Sequence, residues 1–117
     1  MSVTASLDES FAESNLVLVV VPSVTMRENL RKIAAALPVN TNVVCATKGI
    51  EIESGKRMSQ VITEELPSFD TERVGVLSGP NLAPEIAGGK LATATIAFPS
   101  ESIGESVQSQ LSSEVFR

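Results

Sequence analysis

The sequence predicts an α/β fold, a sheet flanked by helices and joined by right-handed crossovers. Two observations lead there. Short β-branched runs alternate with segments whose apolar residues recur at helical spacing. The first of those runs, Leu16 to Val21, is apolar at every position and closed by Pro22, the pattern of a strand buried on both faces.

The elements follow in order. After Pro22, Thr25 and Glu28 have the spacing of a capping box, and Met26, Leu30, Ile33 and Leu37 form one helical face ended by Pro38. Asn42 to Ala46 reads as a second strand stopping at Thr47-Lys48-Gly49. From Gly55 to Leu66, Met58, Val61, Ile62 and Leu66 share a helical face before Pro67. Arg73 to Leu77 is a third strand, stopping at Ser78-Gly79-Pro80-Asn81. A short helix from Leu82 to Ala87 then fits, with Asn81 as its N-cap, Pro84 in its first turn and Gly88-Gly89 ending it. Leu91 to Phe98 is a fourth strand. Ser100 or Ser102 caps a last helix with Ile103, Val107 and Leu111 inward, and Val115-Phe116 begin another strand. There is no repeat and no low-complexity linker.

Composition narrows the function. The 117 residues carry nine basic and fourteen acidic side chains, a net charge of −5. With 43% apolar and 20% charged residues the chain reads as one ordinary globular unit, with enough length for one core. The acidic balance repels nucleic-acid backbones, and the absence of Trp and Tyr removes most base-stacking platforms. No histidine means no Ser-His-Asp or Cys-His catalysis, and a single cysteine means neither an internal disulfide nor a Cys/His zinc site. A reducing, cytoplasmic setting is therefore expected. The longest apolar run is far shorter than the ~20 residues of a membrane span, and Met1 to Ser10 is polar and acidic, unlike a signal peptide.

If the first three strands are parallel, Pro22-Ser23, Thr47-Lys48-Gly49 and Ser78-Gly79-Pro80-Asn81 share one rim, where open α/β sheets bind ligands. Lys48 supplies positive charge there, Gly49 and Gly79 allow close approach to the backbone, and the helix after Asn81 directs N–H groups outward. Such a rim suits a small phosphorylated or carboxylated molecule. Cys45 reads as a core residue, and the Glu51/Glu53 and Glu64/Glu65 pairs as solvated faces.

Three stretches on this rim resemble NAD(P)-dependent glycerol-3-phosphate dehydrogenase. Ser14-Asn-Leu-Val-Leu-Val-Val-Val-Pro-Ser23 is similar to that family's A-D-L-V-x-x-A-V-P-S. Ala46-Thr-Lys-Gly-Ile-Glu51 is similar to A-T-K-G-I/L-E, and Val76-Leu-Ser-Gly-Pro-Asn-Leu-Ala-Pro-Glu-Ile-Ala87 to L-S-G-P-[STN]-x-A-x-E-[IV]-A. The resemblance runs from about Leu7 to Arg117. It implies reduction of dihydroxyacetone phosphate to sn-glycerol 3-phosphate with NADH or NADPH, a step toward glycerophospholipids. It implies cofactor contacts at Lys48, Ala83, Ser23 and Thr25, and substrate contacts at Lys48, Gly79 and Asn81, with no metal.

The family's opening Gly-x-Gly-x-x-Gly turn has no counterpart among the seven glycines. Nor does anything match its closing helical domain, which carries the catalytic lysine and an Arg-Asn phosphate clamp. Residues 1–117 are thus expected to be a single, incomplete, Rossmann-like domain with a partial doubly wound sheet. The chain is expected to be inactive by itself and prone to self-association through open sheet edges. The alternative is a non-catalytic half-Rossmann module that binds a phosphorylated ligand or a protein partner. A dehydrogenase of the 6-phosphogluconate type fits the Ala46–Glu51 and Val76–Ala87 stretches less well.

Overall fold

The computed structural model describes residues 3–117; Met1 and Ser2, which open the polar N-terminal stretch and the 1–117 domain range, lie outside the described residues. Strands β1 (Leu16–Val19), β2 (Asn42–Cys45) and β3 (Val74–Ser78) run parallel in that spatial order. β4 (Thr95–Ala97) pairs antiparallel beside β3. Helix α1 (Leu7–Phe11) precedes β1, α2 (Met26–Ile33) connects β1 to β2, and α3 (Met58–Glu65) connects β2 to β3. A short helix, α4 (Ala83–Ala87), lies between β3 and β4, and α5 (Glu101–Leu111) follows β4.

The antiparallel β4 departs from the right-handed crossover that the alternation of strands and helices implied before it, and the length of α4 explains it. A crossover helix must carry the chain back along the whole strand. Five residues at 1.5 Å each reach only about 7.5 Å. The chain therefore stays near the carboxyl edge of β3, and β4 starts from there.

The side-chain alternation of the strands divides the sheet into two faces. Val17, Val19, Val43, Cys45, Val74 and Val76 look toward α2 and α3 and pack with Met26, Leu30, Met58, Val61 and Ile62. Met26, Leu30, Val43, Val61 and Ile62 are wholly buried, each contributing about 1.5–3 kcal/mol of apolar burial. Leu37 and Leu66 lie just beyond their helices and close the ends of this layer. In the register Leu18↔Val44↔Gly75 the other face emerges. Over Gly75 lies the Phe98 ring, and α5 buries Val107.

Several sequence expectations need correction. β1 is not buried on both faces: Leu18 is 46% exposed, and Val20, just past the strand, 67%. β1 is the end strand of the sheet, packed on its α2 and α3 face and left open on the other among the described residues. The Thr25–Glu28 capping box does not form; the Thr25 hydroxyl donates to Pro22 O at 3.0 Å, and Glu28 pairs with Lys32. Asn81 is not the cap of α4, because Leu82 holds that position and the Asn81 side chain turns toward Gly79. Ser100 is the N-cap residue of α5 but makes no side-chain cap bond. β4 is shorter than Leu91–Phe98; Ala92 instead forms a bridge with Phe116, so the expected Val115-Phe116 strand is reduced to that bridge. α1 was not expected, although Ser6 and Glu9 have capping spacing: the Ser6 hydroxyl accepts from Glu9 N–H, and Phe11 is buried.

Candidate functional site

The three parallel strands end on one edge, and hydrogen bonds sew their turns together. Thr47, after β2, receives the Val21 N–H on its hydroxyl at 3.2 Å and donates that hydroxyl to Val21 O at 2.8 Å. Lys48 Nζ donates to Ser78 Oγ at 3.1 Å, joining the β2 turn to the β3 turn. Gly49 takes a left-handed φ of +98°, open to glycine and strained for other residues, and a Cβ there would lie 3.7 Å from Ser23 Oγ. Gly79 is fixed more tightly. A Cβ at that position would come within 2.7 Å of both Asn81 Nδ2 and Thr93 O. Lys48 and the Gly79–Asn81 bend therefore lie on the same rim.

A groove of about 210 Å³ opens there, lined among others by Thr47, Lys48, Gly49, Arg57, Ser59 and Ser78. Gly79 and Asn81 follow Ser78 in the chain but do not line this groove. Ser23 lines a neighbouring groove of about 350 Å³ with Val24, Arg27 and Ile50–Glu53. Thr25 sits in the turn leading into α2, and Ala83 opens α4; neither lines either groove. Two lining residues escaped the sequence reading, Arg57 and Ser59. They return to the rim because residues 50–57 make a small excursion closed by the Ile50↔Arg57 bridge and by Glu51 N–H to Lys56 O at 2.9 Å.

Charge on this side of the molecule is sorted into two groups. Arg27 binds Glu51, Glu64 and Glu65, Arg31 binds Glu65, and Lys56 binds Glu64. The hydrogen bonds from Arg27 hold Glu51 at a pKa of about 2, and those from Arg31 and then Arg27 do the same for Glu65. These carboxylates are thus committed to structure, correcting their reading as solvated faces. Lys48 and Arg57, by contrast, have no carboxylate partner among the described residues. Burial pushes the Cys45 thiol above its ordinary pKa, which leaves it a core group rather than a nucleophile.

Chemically, such a groove can hold an anion and polarise a carbonyl oxygen through an ammonium group. No carboxylate lines it that could take a proton. Among the described residues no cluster of His, Cys, Asp or Glu could hold a metal, and no helix is long and apolar enough to cross a membrane.

Comparison with known proteins adds to this geometry. The family model described as NAD-dependent glycerol-3-phosphate dehydrogenase N-terminus matches residues 1–104. A glycerol-3-phosphate dehydrogenase [NAD(P)+] of Dehalococcoides mccartyi is 46% identical over 101 residues, covering 86% of this chain and 28% of the relative. Its counterpart from Teredinibacter turnerae is 38% identical over 117 residues, covering all of this chain and 34% of the relative. The chain thus spans about a third of the length of the curated relatives it matches. Two solved structures superpose well. Glycerol-3-phosphate dehydrogenase from Coxiella burnetii gives a TM-score of 0.85 at 24% identity, over 97% of this chain and 34% of that one. The Plasmodium falciparum enzyme gives 0.84 at 20% identity, over 97% and 32%.

Proposed function

This chain belongs to the NAD-dependent glycerol-3-phosphate dehydrogenase family, and from that membership we propose that its rim forms part of the site where dihydroxyacetone phosphate is reduced to sn-glycerol 3-phosphate. The observation that carries the reading is the 3.1 Å bond from Lys48 to Ser78, which brings the Ala46–Glu51 and Val76–Ala87 stretches to one edge. In this reading Lys48 faces both substrate and cofactor. Its ammonium offsets phosphate charge and draws electron density from the substrate carbonyl. Gly79 and Asn81 border the substrate from the bend just beyond the groove, Gly79 by keeping that bend tight and Asn81 by offering an amide. Ser23, Thr25 and Ala83 border the cofactor.

The residues present fit an anionic cofactor as well as an anionic substrate. Lys48 carries an unneutralised charge, and the Gly49 backbone stands open with no Cβ in the way. When bound, NAD or NADP supplies the hydride. The chain's own residues hold and orient; none lining the groove is a carboxylate or second lysine able to pass a proton to the substrate oxygen. We therefore expect residues 1–117 to act as one Rossmann-like part of a larger catalytic unit and to be inactive alone. The half-covered β1 supports that reading, since its open face suits further strands or helices. A reducing cytoplasm fits the free Cys45 thiol, and the product serves as a glycerophospholipid precursor.

Titration with glycerol 3-phosphate tests the site: Lys48→Ala should weaken binding by about tenfold. Unchanged affinity would remove Lys48 from it. In a steady-state assay with NADPH and dihydroxyacetone phosphate the chain should give no turnover. A rate within about tenfold of an intact family member would overturn the inactivity.

A further inference from the structure

We propose that Arg57 is a second anion-binding cation of the rim groove and that, together with Lys48, it holds the phosphate of a phosphate monoester. This deepens the reading above, in which the groove takes a phosphorylated substrate.

The argument begins with where the chain leaves positive charge. Arg27, Arg31, Lys32, Lys56, Arg73 and Lys90 all face carboxylates. Among the described residues Lys48, Arg57 and Arg117 do not, in a protein with a five-charge acidic excess. Two of those three cations line the same groove of about 210 Å³. Lys48 and Arg57 are nine positions apart in sequence. The Ile50↔Arg57 bridge brings the second back beside the first, and Gly55, at φ +69°, permits the reversal between them. Glu51, Glu64 and Glu65 are held by Arg27, Arg31 and Lys56 and do not neutralise the pair, and the exposed Glu53 of the same loop does not line the groove.

Two like charges facing one groove repel each other, and an oxyanion between them relieves that repulsion. The Arg57 guanidinium makes no hydrogen bond to another described residue, so its planar fork is free to donate two hydrogen bonds to phosphate oxygens. The Ser59 hydroxyl lines the same wall and is equally uncommitted among the described residues. The ligand chemistry is a phosphate dianion, which an organic ester or free inorganic phosphate could each present.

Calorimetric titration of the 117-residue chain at low salt separates these sources, with inorganic phosphate, glycerol 3-phosphate and uncharged glycerol as probes. Arg57→Gln should raise the Kd for both phosphates about fivefold, and Arg57→Lys should raise it less. Arg117→Gln, which removes the same charge outside the groove, should leave both unchanged. Thermal melts verify that each variant is folded. Three results would overturn the proposal: equal Kd for Arg57→Gln and wild type, an equal loss in Arg117→Gln, or no binding of either phosphate by the wild type. Glycerol 3-phosphate binding that depends on Lys48 but not Arg57 would remove this inference and leave the substrate assignment standing. Arg57-dependent binding of inorganic phosphate with no preference for glycerol 3-phosphate would do the reverse.

Discussion

Arg27 grips Glu51 with two hydrogen bonds of 2.7 Å, from Nε to Oε1 and from Nη2 to Oε2. The fork-to-carboxylate match fixes the 50–57 excursion to α2, and with it the direction from which Arg57 reaches the rim. Arg27 also holds Glu65 at 2.7 Å and Glu64 at 2.9 Å, so it is the hub of the α2–α3 contact. Arg27→Gln should lower the melting temperature more than Lys32→Ala, which removes only the solvated Lys32–Glu28 pair. It should also speed amide exchange at Glu51 and Gly55, whose N–H groups close the excursion. Equal melting of the two variants would show the hub to be energetically idle.

The same cluster sets an acid limit. Glu51 and Glu65 have pKa values of about 2 in the fold against an ordinary 4.5. A depressed carboxylate pKa means the folded state binds its proton less readily than the unfolded chain does. The stabilisation is therefore fully present above pH 4.5 and is lost as pH falls toward 2. Melting temperature should drop across that window. In Arg27→Gln the drop should be shallower, because both carboxylates lose a hydrogen-bond donor that holds them ionised. Parallel curves for the two proteins would assign acid sensitivity to other groups.

Gly75 is demanded by Phe98. A Cβ on Gly75 would stand 2.4 Å from Phe98 Cε2 and 2.5 Å from Cζ, inside any real contact distance. Gly75→Ala must push the ring outward or part β3 from β4. Overpacking of this kind costs about 1–3 kcal/mol, read from denaturant unfolding. Adding Phe98→Leu should recover part of the loss. A neutral Gly75→Ala would mean that the ring moves freely.

Helices α2 and α3 were legible because their partners lie within the chain. Met26, Leu30, Met58, Val61 and Ile62 keep helical spacing, and each meets the strand residues that its periodicity requires. The rim was legible from the small residues ending each strand. Leu18 was not legible, because an unbroken apolar run reads the same whether its second face is covered or open. The turn of β4 also escaped, since its direction depends on how far α4 travels and not on any pattern within β4. Arg57 escaped for a related reason. A single bridge across a short loop leaves no periodic trace, and only Gly55 marks the reversal.

Cys45 gives a chemical readout of the core beneath the rim. It is 3% exposed, and burial raises its thiol pKa, against which Thr47 and Lys48 act only in part. Alkylation by iodoacetamide at mildly alkaline pH should run at least about tenfold slower than in the denatured chain. Lys48→Ala should slow it further, since the ammonium favours the thiolate. Faster modification in that variant would mean that Lys48 shields the thiol by packing instead of by charge.

The open side of the sheet should govern association. Among the described residues β1 pairs only with β2, while Leu18 and Val20 present apolar surface beside its other edge. An unpaired strand edge with an apolar face invites a second copy. The chain should therefore self-associate, and Leu18→Lys should weaken that association at least about tenfold in sedimentation equilibrium, because a charge on an edge strand opposes pairing. Ile52→Lys is the matched control. Ile52 is 84% exposed, lies off the sheet and belongs to the loop groove with Val24 and Ile50. If Ile52→Lys dissociates the assembly and Leu18→Lys does not, the contact runs through the rim loops. Association would then compete with anion binding in the groove next door, and glycerol 3-phosphate should shift the equilibrium toward monomer. If the edge strand is the contact, as its exposure argues, the ligand should leave the equilibrium unmoved.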